Sequence, residues 1–495
     1  MGKTPSERAR AFVLTLAAAA FALMHYGCQP QPATAPNANG ATPAASPAPT
    51  AAQVVIPPWP QGFPQGFPAA AISGHLPLAV TLPDGNVTPE QARPYFDYFS
   101  WESFIALNWP ASTSQRGTPD QPNNPNAFLK APAGAPVVWG TYKDSFDLFG
   151  QKGDQRPPAW DAPNTSPCPN AQGSEKTLAF ITKGDTPLMQ TAQAFSFPLV
   201  DQRGNYVYYD IRYDQAQYNF IRGQDSDPSS WLYLLKNLAA KENVPKGLQM
   251  PMSTTTPSPV LGSIMVKAAW RIKTERDDPT RFYTVNAQVY NPQTKACTEM
   301  PVLLVGLHVA HKVSPFTEWV WSTFEQVDNV PPDPDITPRP TPPPAGYSFN
   351  NGTDTPKTNG GFDYKPPLQP VPSPSPVQVT RVNPIPSTPQ GASTRDVNAY
   401  FQQLLKGTVW QYYQLVITQW PSNPGLDAFV LMQNGGVYPR DSGQAFPANG
   451  AVNTTQETYF QTPNDAAGAG GNSCMSCHYR AGQSDYSWGL NRRAH

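Results

Sequence analysis

Near its C-terminus the chain reads Cys474-Met475-Ser476-Cys477-His478, its densest run of reactive side chains. Two thiols three positions apart lie on one side of a helical turn, where each can form a thioether to one vinyl group of a porphyrin. The histidine that follows is then aimed at the porphyrin iron as an axial ligand. Two other chemistries use a similar spacing. A redox Cys-x-x-Cys belongs in a strand-to-helix unit and gains nothing from the histidine. Half of a zinc site needs a second cysteine pair, and the chain has none to complete it. The spacing therefore points to one covalently attached haem c, with Cys474 and Cys477 as anchors and His478 on the metal.

Such an iron has one axial position left. The other imidazoles of the mature chain are His75, His308, His311 and His495. If residues 302–313 form a strand, His308 and His311 point to opposite faces, because their separation is odd. His311 then shares its face with Leu303, Val305, Leu307 and Val309. His308 shares its face with Gly306 and Ala310, whose small side chains leave room for a flat macrocycle, so His308 is the candidate distal metal ligand. Methionine is the other common axial ligand. None lies beyond His478; Met265, Met300 and Met432 stand upstream, and most methionines only fill gaps in a core. An iron held by His478 alone, with an open sixth position, is the remaining arrangement.

Thioether attachment of haem c calls for export, and the N-terminus supplies a signal. Lys3, Arg8 and Arg10 precede an apolar run at residues 11–24, too short to span a bilayer and flanked by positive charge. Residues 1–27 read as a signal peptide. Gly27-Cys28 resembles a lipobox, with His25 where leucine is usual, so Cys28 is a candidate for lipidation and the one membrane attachment expected. The chain is expected in the periplasm or at the outer membrane as a lipoprotein. Of the five cysteines, Cys168 and Cys297 remain, a disulfide candidate in an oxidising compartment.

The elements that must position these residues follow from periodicity. Residues 28–68 are rich in Pro, Ala, Thr and Gln and read as an extended linker. Residues 331–392 form a proline-rich insertion, poor in backbone donors, with aromatics at Tyr347, Phe349, Phe362 and Tyr364 to pin it. Residues 69–330 and 393–495 then make a single folded body. Thr88-Pro89-Glu90-Gln91 opens a helix with Pro94 in its first turn, stopped at Trp109-Pro110. Val397, Tyr400, Phe401, Leu404 and Leu405 give a second helical face, ending before Gly407. Residues 207–213 alternate as a half-buried strand, and residues 263–273, 282–290, 302–313 and 412–420 read as further strands. Thr454 and Glu457 have capping-box spacing. Strands flanked by a few helices give an α+β fold, a largely antiparallel β body with a C-terminal haem attachment segment.

Composition excludes some partners. Lys plus Arg is 34 and Asp plus Glu is 35, a formal net charge of −1, which leaves no nucleic-acid footprint. Paired catalytic carboxylates, a nucleophile elbow and a phosphate loop are all absent from the sequence. The aromatic clusters around Trp101 and Trp319 read as core.

Four stretches taken together resemble a known group. They are residues 100–110 (Ser-Trp-Glu-Ser-Phe-Ile-Ala-Leu-Asn-Trp-Pro), Gly306-Leu307-His308, residues 319–331 (Trp-Val-Trp-Ser-Thr-Phe-Glu-Gln-Val-Asp-Asn-Val-Pro), and Ser473 to His478. The set is similar to exported bacterial "cytochrome c family" proteins of about this length with a single C-terminal Cys-x-x-Cys-His. The resemblance implies haem attachment at Cys474 and Cys477 with His478 on iron, and little beyond. Gln326 departs from the histidine that the resemblance leads one to expect. The function expected is single-electron transfer by a monohaem c-type cytochrome to a redox protein partner. The alternatives are a haem enzyme or small-ligand site of peroxidase-like or gas-binding kind, and a β-rich binding module with an accessory haem.

Overall fold

Thr88 starts the first long helix. Its side chain accepts from the Gln91 amide while the Gln91 side chain accepts from the Thr88 amide, the reciprocal box that the spacing predicts. Helix α1 (Pro89–Leu107) stops just before Trp109-Pro110, as expected, but Pro94 lies inside the helix and not in its first turn. Phe96, Phe99, Trp101, Phe104 and Leu107 are all buried. A helix apolar on every side must be covered on every side. The sheet covers one side of α1, and α6 with residues 54–68 covers much of the rest.

The structure, a computed structural model, describes residues 54–494 except 151–154, 167, 169–175, 179–192, 194–196, 243–247, 292, 293, 295, 317, 339, 354–358, 361–373, 388–391, 422–428, 432–436, 440–444, 449, 462–472, 479, 480, 482 and 483. The expected signal peptide, Cys28 and the linker up to residue 53 fall outside the described residues, as do Met432 and His495. The remaining helices are α2 (Pro125–Leu129), α3 (Ser145–Phe149), α4 (Gln215–Arg222), α5 (Leu235–Glu242), α6 (Thr394–Leu404), α7 (Cys474–His478) and α8 (Trp488–Arg493). The strands are β1 (Lys143–Asp144), β2 (Lys176–Leu178), β3 (Val207–Tyr213), β4 (Ile264–Ile272), β5 (Thr284–Asn291), β6 (Ala296–His311), β7 (Val320–Gln326), β8 (Tyr413–Pro421), β9 (Phe429–Leu431), β10 (Val437–Pro439) and β11 (Ala445–Phe446).

Nine strands form one sheet in the order β1-β3-β4-β6-β7-β8-β11, with β5 pairing the first half of β6 and β2 pairing β5. Every pairing is antiparallel except β2 with β5. The α+β class with a largely antiparallel β body is therefore the observed one. Strand β3 was expected to be half-buried, yet both of its faces are covered. Helix α1 and helix α6 pack on one face of the sheet: Ser100 Oγ reaches Ser322 Oγ and Thr418 Oγ1, each at 2.7 Å, and Trp101 stacks on Phe401. The C-terminal segments lie on the other face.

Strand β6 carries both sequence-predicted histidines, and a bulge re-aims part of it. Ala269 pairs with Gly306 while Trp270 pairs with Leu304, which leaves Val305 as the extra residue. Strict alternation places Leu303, Val305, Leu307 and Val309 on one face. The bulge instead puts Leu303 and Val305 in one core with Val207 and Tyr209, and Leu307 and Val309 in another with Trp101 and Phe104. His311 still faces the helices, stacked on Phe99 with its Nε2 2.9 Å from Ser253 Oγ. His308 faces the opposite side. The space beside Gly306, expected to admit a macrocycle, is taken by the Thr455 hydroxyl, which sits where a Cβ would be.

The flanking segments are partly built in. From the expected linker, Trp59 stacks on Tyr400, whose hydroxyl donates to the Pro57 carbonyl at 2.6 Å. From the proline-rich insertion, Phe349, Val377 and Val379 are buried against Leu303 and Val305, and Arg381 pairs with Glu325 at 2.5 Å; Phe362 and Tyr364 fall outside the described residues. Cys168 and Cys297 are joined as a disulfide with Cα atoms 5.7 Å apart. Among the described residues no helix is long and apolar enough to cross a membrane.

Two outcomes follow from β6. Gly306→Ala forces the Thr455 segment away from the sheet and should cost about 1–3 kcal/mol in denaturant unfolding, the range for overpacking. Burial pushes the His311 pKa down from 6.5 to about 3. Below pH 6.5 the unfolded chain therefore binds a proton that the fold refuses, and stability falls with pH. Relative to His311→Gln, the wild type should lose roughly 1.4 kcal/mol per pH unit between about pH 6 and pH 4, measured as the difference between two unfolding series.

Candidate functional site

One strip of the sheet stays half-exposed among buried neighbours. In β3 it is Ile211, in β4 Met265 and Lys267, and His308 is the only residue of β6 from Val302 onward that is not buried. Register places them side by side: Ile211 opposes Lys267, Lys267 opposes His308, and Met265 opposes Ala310. Directly opposed residues share a face. The half-buried Cys474, Cys477 and His478 of α7 stand on this same face, with the His478 ring 4.4 Å from the ring of Trp321, the cross-strand neighbour of Ala310.

Helix α7 is a single turn, too short to be stable alone. The sheet caps it: Gln419 Oε1 on β8 accepts from the Met475 amide at 2.7 Å, and Gln419 Nε2 donates to Ser473 Oγ at 2.8 Å. Met475 is buried in the core, and Cys474 packs against the same core with its Sγ 3.6 Å from the Ala451 carbonyl. Neither cysteine is in a disulfide, unlike Cys168 and Cys297.

His478 is locked by the chain that follows it. Its Nδ1 donates to the Tyr486 carbonyl at 2.7 Å, which fixes the proton on Nδ1 and leaves the Nε2 lone pair for a metal. Burial pushes the His478 pKa down to about 4, so the ring is neutral at pH 7. The carbonyl is presented by two residues in the left-handed region, Asp485 at φ 49° and Tyr486 at φ 62°. Each such residue costs on the order of 1–3 kcal/mol and persists only where its surroundings insist. Here the surroundings are explicit. The Asp485 carboxylate pairs with Lys312 and accepts from the Met250 amide at 2.7 Å; its carbonyl accepts from Trp319 Nε1 at 3.0 Å. The Tyr486 hydroxyl donates to Glu318 at 3.2 Å.

Across the strip, His308 Nε2 lies 3.1 Å from Glu457 Oε2. Burial acts to raise the Glu457 pKa, but the charge and hydrogen bond of His308, helped by Lys267, outweigh it and hold the carboxyl below its ordinary value. Glu457 also accepts from the Asn453 amide at 3.1 Å. The expected Thr454–Glu457 capping box does not form: the Thr454 amide donates to Glu325, and the carboxylate is turned to the histidine. Burial, with Glu457 nearby, raises the Cys474 thiol well above the usual range, so it is not a reactive thiolate.

The sequence-predicted residues Cys474, Cys477, His478 and His308 are thus brought to one face. Lys267, His308 and Glu457 all act electrostatically on His478. Of the other axial candidates, Met265 joins them, Met300 lies in the first half of β6, and His75 is exposed beside Asn123. Gln326, where a histidine was expected, is buried and bonds to Arg281 and Asp328. Among the described residues no three His, Cys, Asp or Glu side chains could hold a metal ion. Two anchoring thiols, one neutral imidazole with Nε2 available, and a half-exposed strip in an otherwise buried sheet do fit a haem c. Tyr486 and Lys267 carry no motif in the sequence; Glu457 was visible only as a capping-box residue and Trp321 only as part of an aromatic cluster. No protein family, curated protein or solved structure matches the chain.

Removing the Asp485 carboxylate strands a buried ammonium on Lys312. Asp485→Ala should cost about 3–5 kcal/mol in denaturant unfolding, the range for breaking a buried pair. Asp485→Asn, which can still accept from the Met250 amide, should cost less.

Proposed function

We propose that the chain is an exported monohaem c-type cytochrome that passes single electrons to a redox protein partner, from the periplasm or from the outer membrane through a lipid on Cys28. The observation that carries this reading is the state of the Cys474–His478 turn. Two thiols outside any disulfide, that of Cys474 kept protonated by burial, lie beside an imidazole held neutral by burial and fixed in tautomer by the Tyr486 carbonyl. Bound there, haem c would supply a reversible one-electron couple.

The chain's own residues supply the rest. Gln419 holds the turn that presents both sulfurs; Tyr486 orients the axial histidine; the strip of β3, β4 and β6 gives one flat, half-exposed wall. A Cys474 thiol raised by burial supports thioether attachment over dithiol redox chemistry, which needs a lowered thiol pKa. The Cys168–Cys297 disulfide suits an oxidising compartment. A small-ligand site is the second reading, motivated by the half-exposed His308, whose Nε2 lies 3.1 Å from Glu457 Oε2 on the same face as His478.

Expression in a host able to attach haem c, followed by intact-mass measurement, should show one haem that survives denaturation. The haem should be reversibly reduced in reduced-minus-oxidised spectra and lost in the Cys474→Ala, Cys477→Ala double variant. A mature protein with both thiols free and no added mass would end the proposal.

A further inference from the structure

Residues 57–68 read Pro-Pro-Trp-Pro-Gln-Gly-Phe-Pro-Gln-Gly-Phe-Pro, two copies of Gln-Gly-Phe-Pro behind Trp59. They pack on α1 and α6, across the sheet from Cys474 and His478, and electron transfer uses none of them. The repeat puts an aromatic ring at every fourth position: Trp59, Phe63 and Phe67. Gly62 and Gly66, at φ 107° and 74°, turn the chain between the rings. A Cβ at either glycine would meet nothing within 4 Å, so the left-handed backbone, not space, calls for glycine there. The turns bring the three rings to 4.5, 5.0 and 5.3 Å from one another.

The receiving surface is equally specific. Trp59 stacks on Tyr400 at 3.7 Å, and Phe67 packs on Tyr95 and Tyr98 at 4.8 and 5.7 Å. The Tyr400 hydroxyl donates to the Pro57 carbonyl at 2.6 Å, and the Tyr98 hydroxyl to the Ala69 carbonyl at 3.0 Å. Aromatic grooves with polar tips recognise proline-rich segments in this way, because such a segment is extended beforehand and loses little entropy on docking. Left bare, Tyr95, Tyr98, Tyr400 and Phe401 would form an apolar patch of the kind that marks an interaction site. The arm does not fill its groove. A cleft of about 780 Å³ remains between Pro58, Pro60 and Gln61 of the arm and Ala399, Tyr400 and Gln403 of α6, within the size range of binding sites.

We propose that the α1–α6 face is a recognition groove for proline–aromatic segments, closed in the single chain by residues 54–68 and filled in a pair by the same arm of a second copy. The arm joins the body at the buried Ala70 and Ile72, and Tyr400 lies 343 positions from Pro57. The Tyr400 contact therefore owes nothing to chain continuity and forms identically with an arm from another chain. No residue from Val54 to Pro68 is charged, so rings and hydroxyls suffice to recognise it. The pairing does not depend on the haem reading.

The test uses the mature chain carrying Cys28→Ser, which removes the candidate lipid site. A fluorescently labelled peptide of residues 54–68 should bind the Trp59→Ala chain, whose own arm has lost its central ring. The chain with Trp59 intact should bind it at least about tenfold more weakly, because a tethered arm competes at high effective concentration. Adding Tyr400→Phe to Trp59→Ala keeps the ring, removes one hydrogen bond and should weaken the peptide about fivefold. Mixed together, the Trp59→Ala chain (intact groove) and the Tyr400→Ala chain (intact arm) should sediment as a one-to-one complex that neither forms alone. Circular dichroism checks each fold; Phe63→Ala replaces Trp59→Ala, and Tyr400→Phe replaces Tyr400→Ala, if either disturbs it. A peptide that does not bind the arm-weakened chain would overturn the groove. Peptide binding without a complex in the mixture, up to the solubility limit, would overturn the second copy and leave the arm an intramolecular strap.

Discussion

An imidazole can ligate a metal only if it is neutral and one nitrogen lone pair is free, and the surroundings of His478 meet both conditions. Burial disfavours the protonated ring, and the Tyr486 carbonyl takes the Nδ1 proton. That carbonyl is delivered by two consecutive left-handed residues, a conformation the backbone resists. What holds it is the connection between β6 and β7: Lys312 just after β6 pairs with Asp485, and Trp319 just before β7 bonds to its carbonyl. The hairpin that carries His308 and Trp321 on its face also fixes, at its end, the loop that aims His478. Strand pairing and the aim of the His478 ring are therefore one problem in this protein.

The two faces of the sheet solve different problems. Toward α1 the contacts are aromatic, with a small hydroxyl cluster of Ser100, Ser322 and Thr418 satisfying the polar atoms that burial would otherwise strand. His311 belongs to that side, neutral and stacked on Phe99. Three residues earlier, His308 is half-exposed beside Lys267 and Glu457, which are half-exposed too. One strand thus holds a structural histidine and a candidate functional one. Their environments differ because the facing layers differ, a buried helix on one side and the C-terminal turns on the other.

Those turns are short and contribute little stability of their own. Helix α7 depends on Gln419, and the segment after Asn453 depends on Thr323, Phe324 and Glu325. The long antiparallel sheet is the rigid part, and the chemistry is mounted on it by side-chain hydrogen bonds. Wide, well-registered strands are needed to place Met265, Lys267, His308, Trp321 and Gln419 on one face from four different strands.

What the sequence determined by itself was local. The Cys-x-x-Cys-His spacing, the Thr88 capping box, the alternation in β3 and β4, and the opposition of His308 to His311 all depend on residues within a few positions of one another. The periods of helix and strand report such relations directly. Only the tertiary structure decided that a bulge at Val305 would divide the apolar face of β6, that Thr455 would fill the space beside Gly306, and that Glu457 would turn to His308 and not cap a helix. It also decided that the Tyr486 carbonyl would orient His478. The Thr455 and Glu457 contacts join segments more than a hundred residues apart. The Tyr486 carbonyl, only eight residues from His478, is aimed by Lys312 and Trp319 through Asp485. No spacing along one chain encodes such partners.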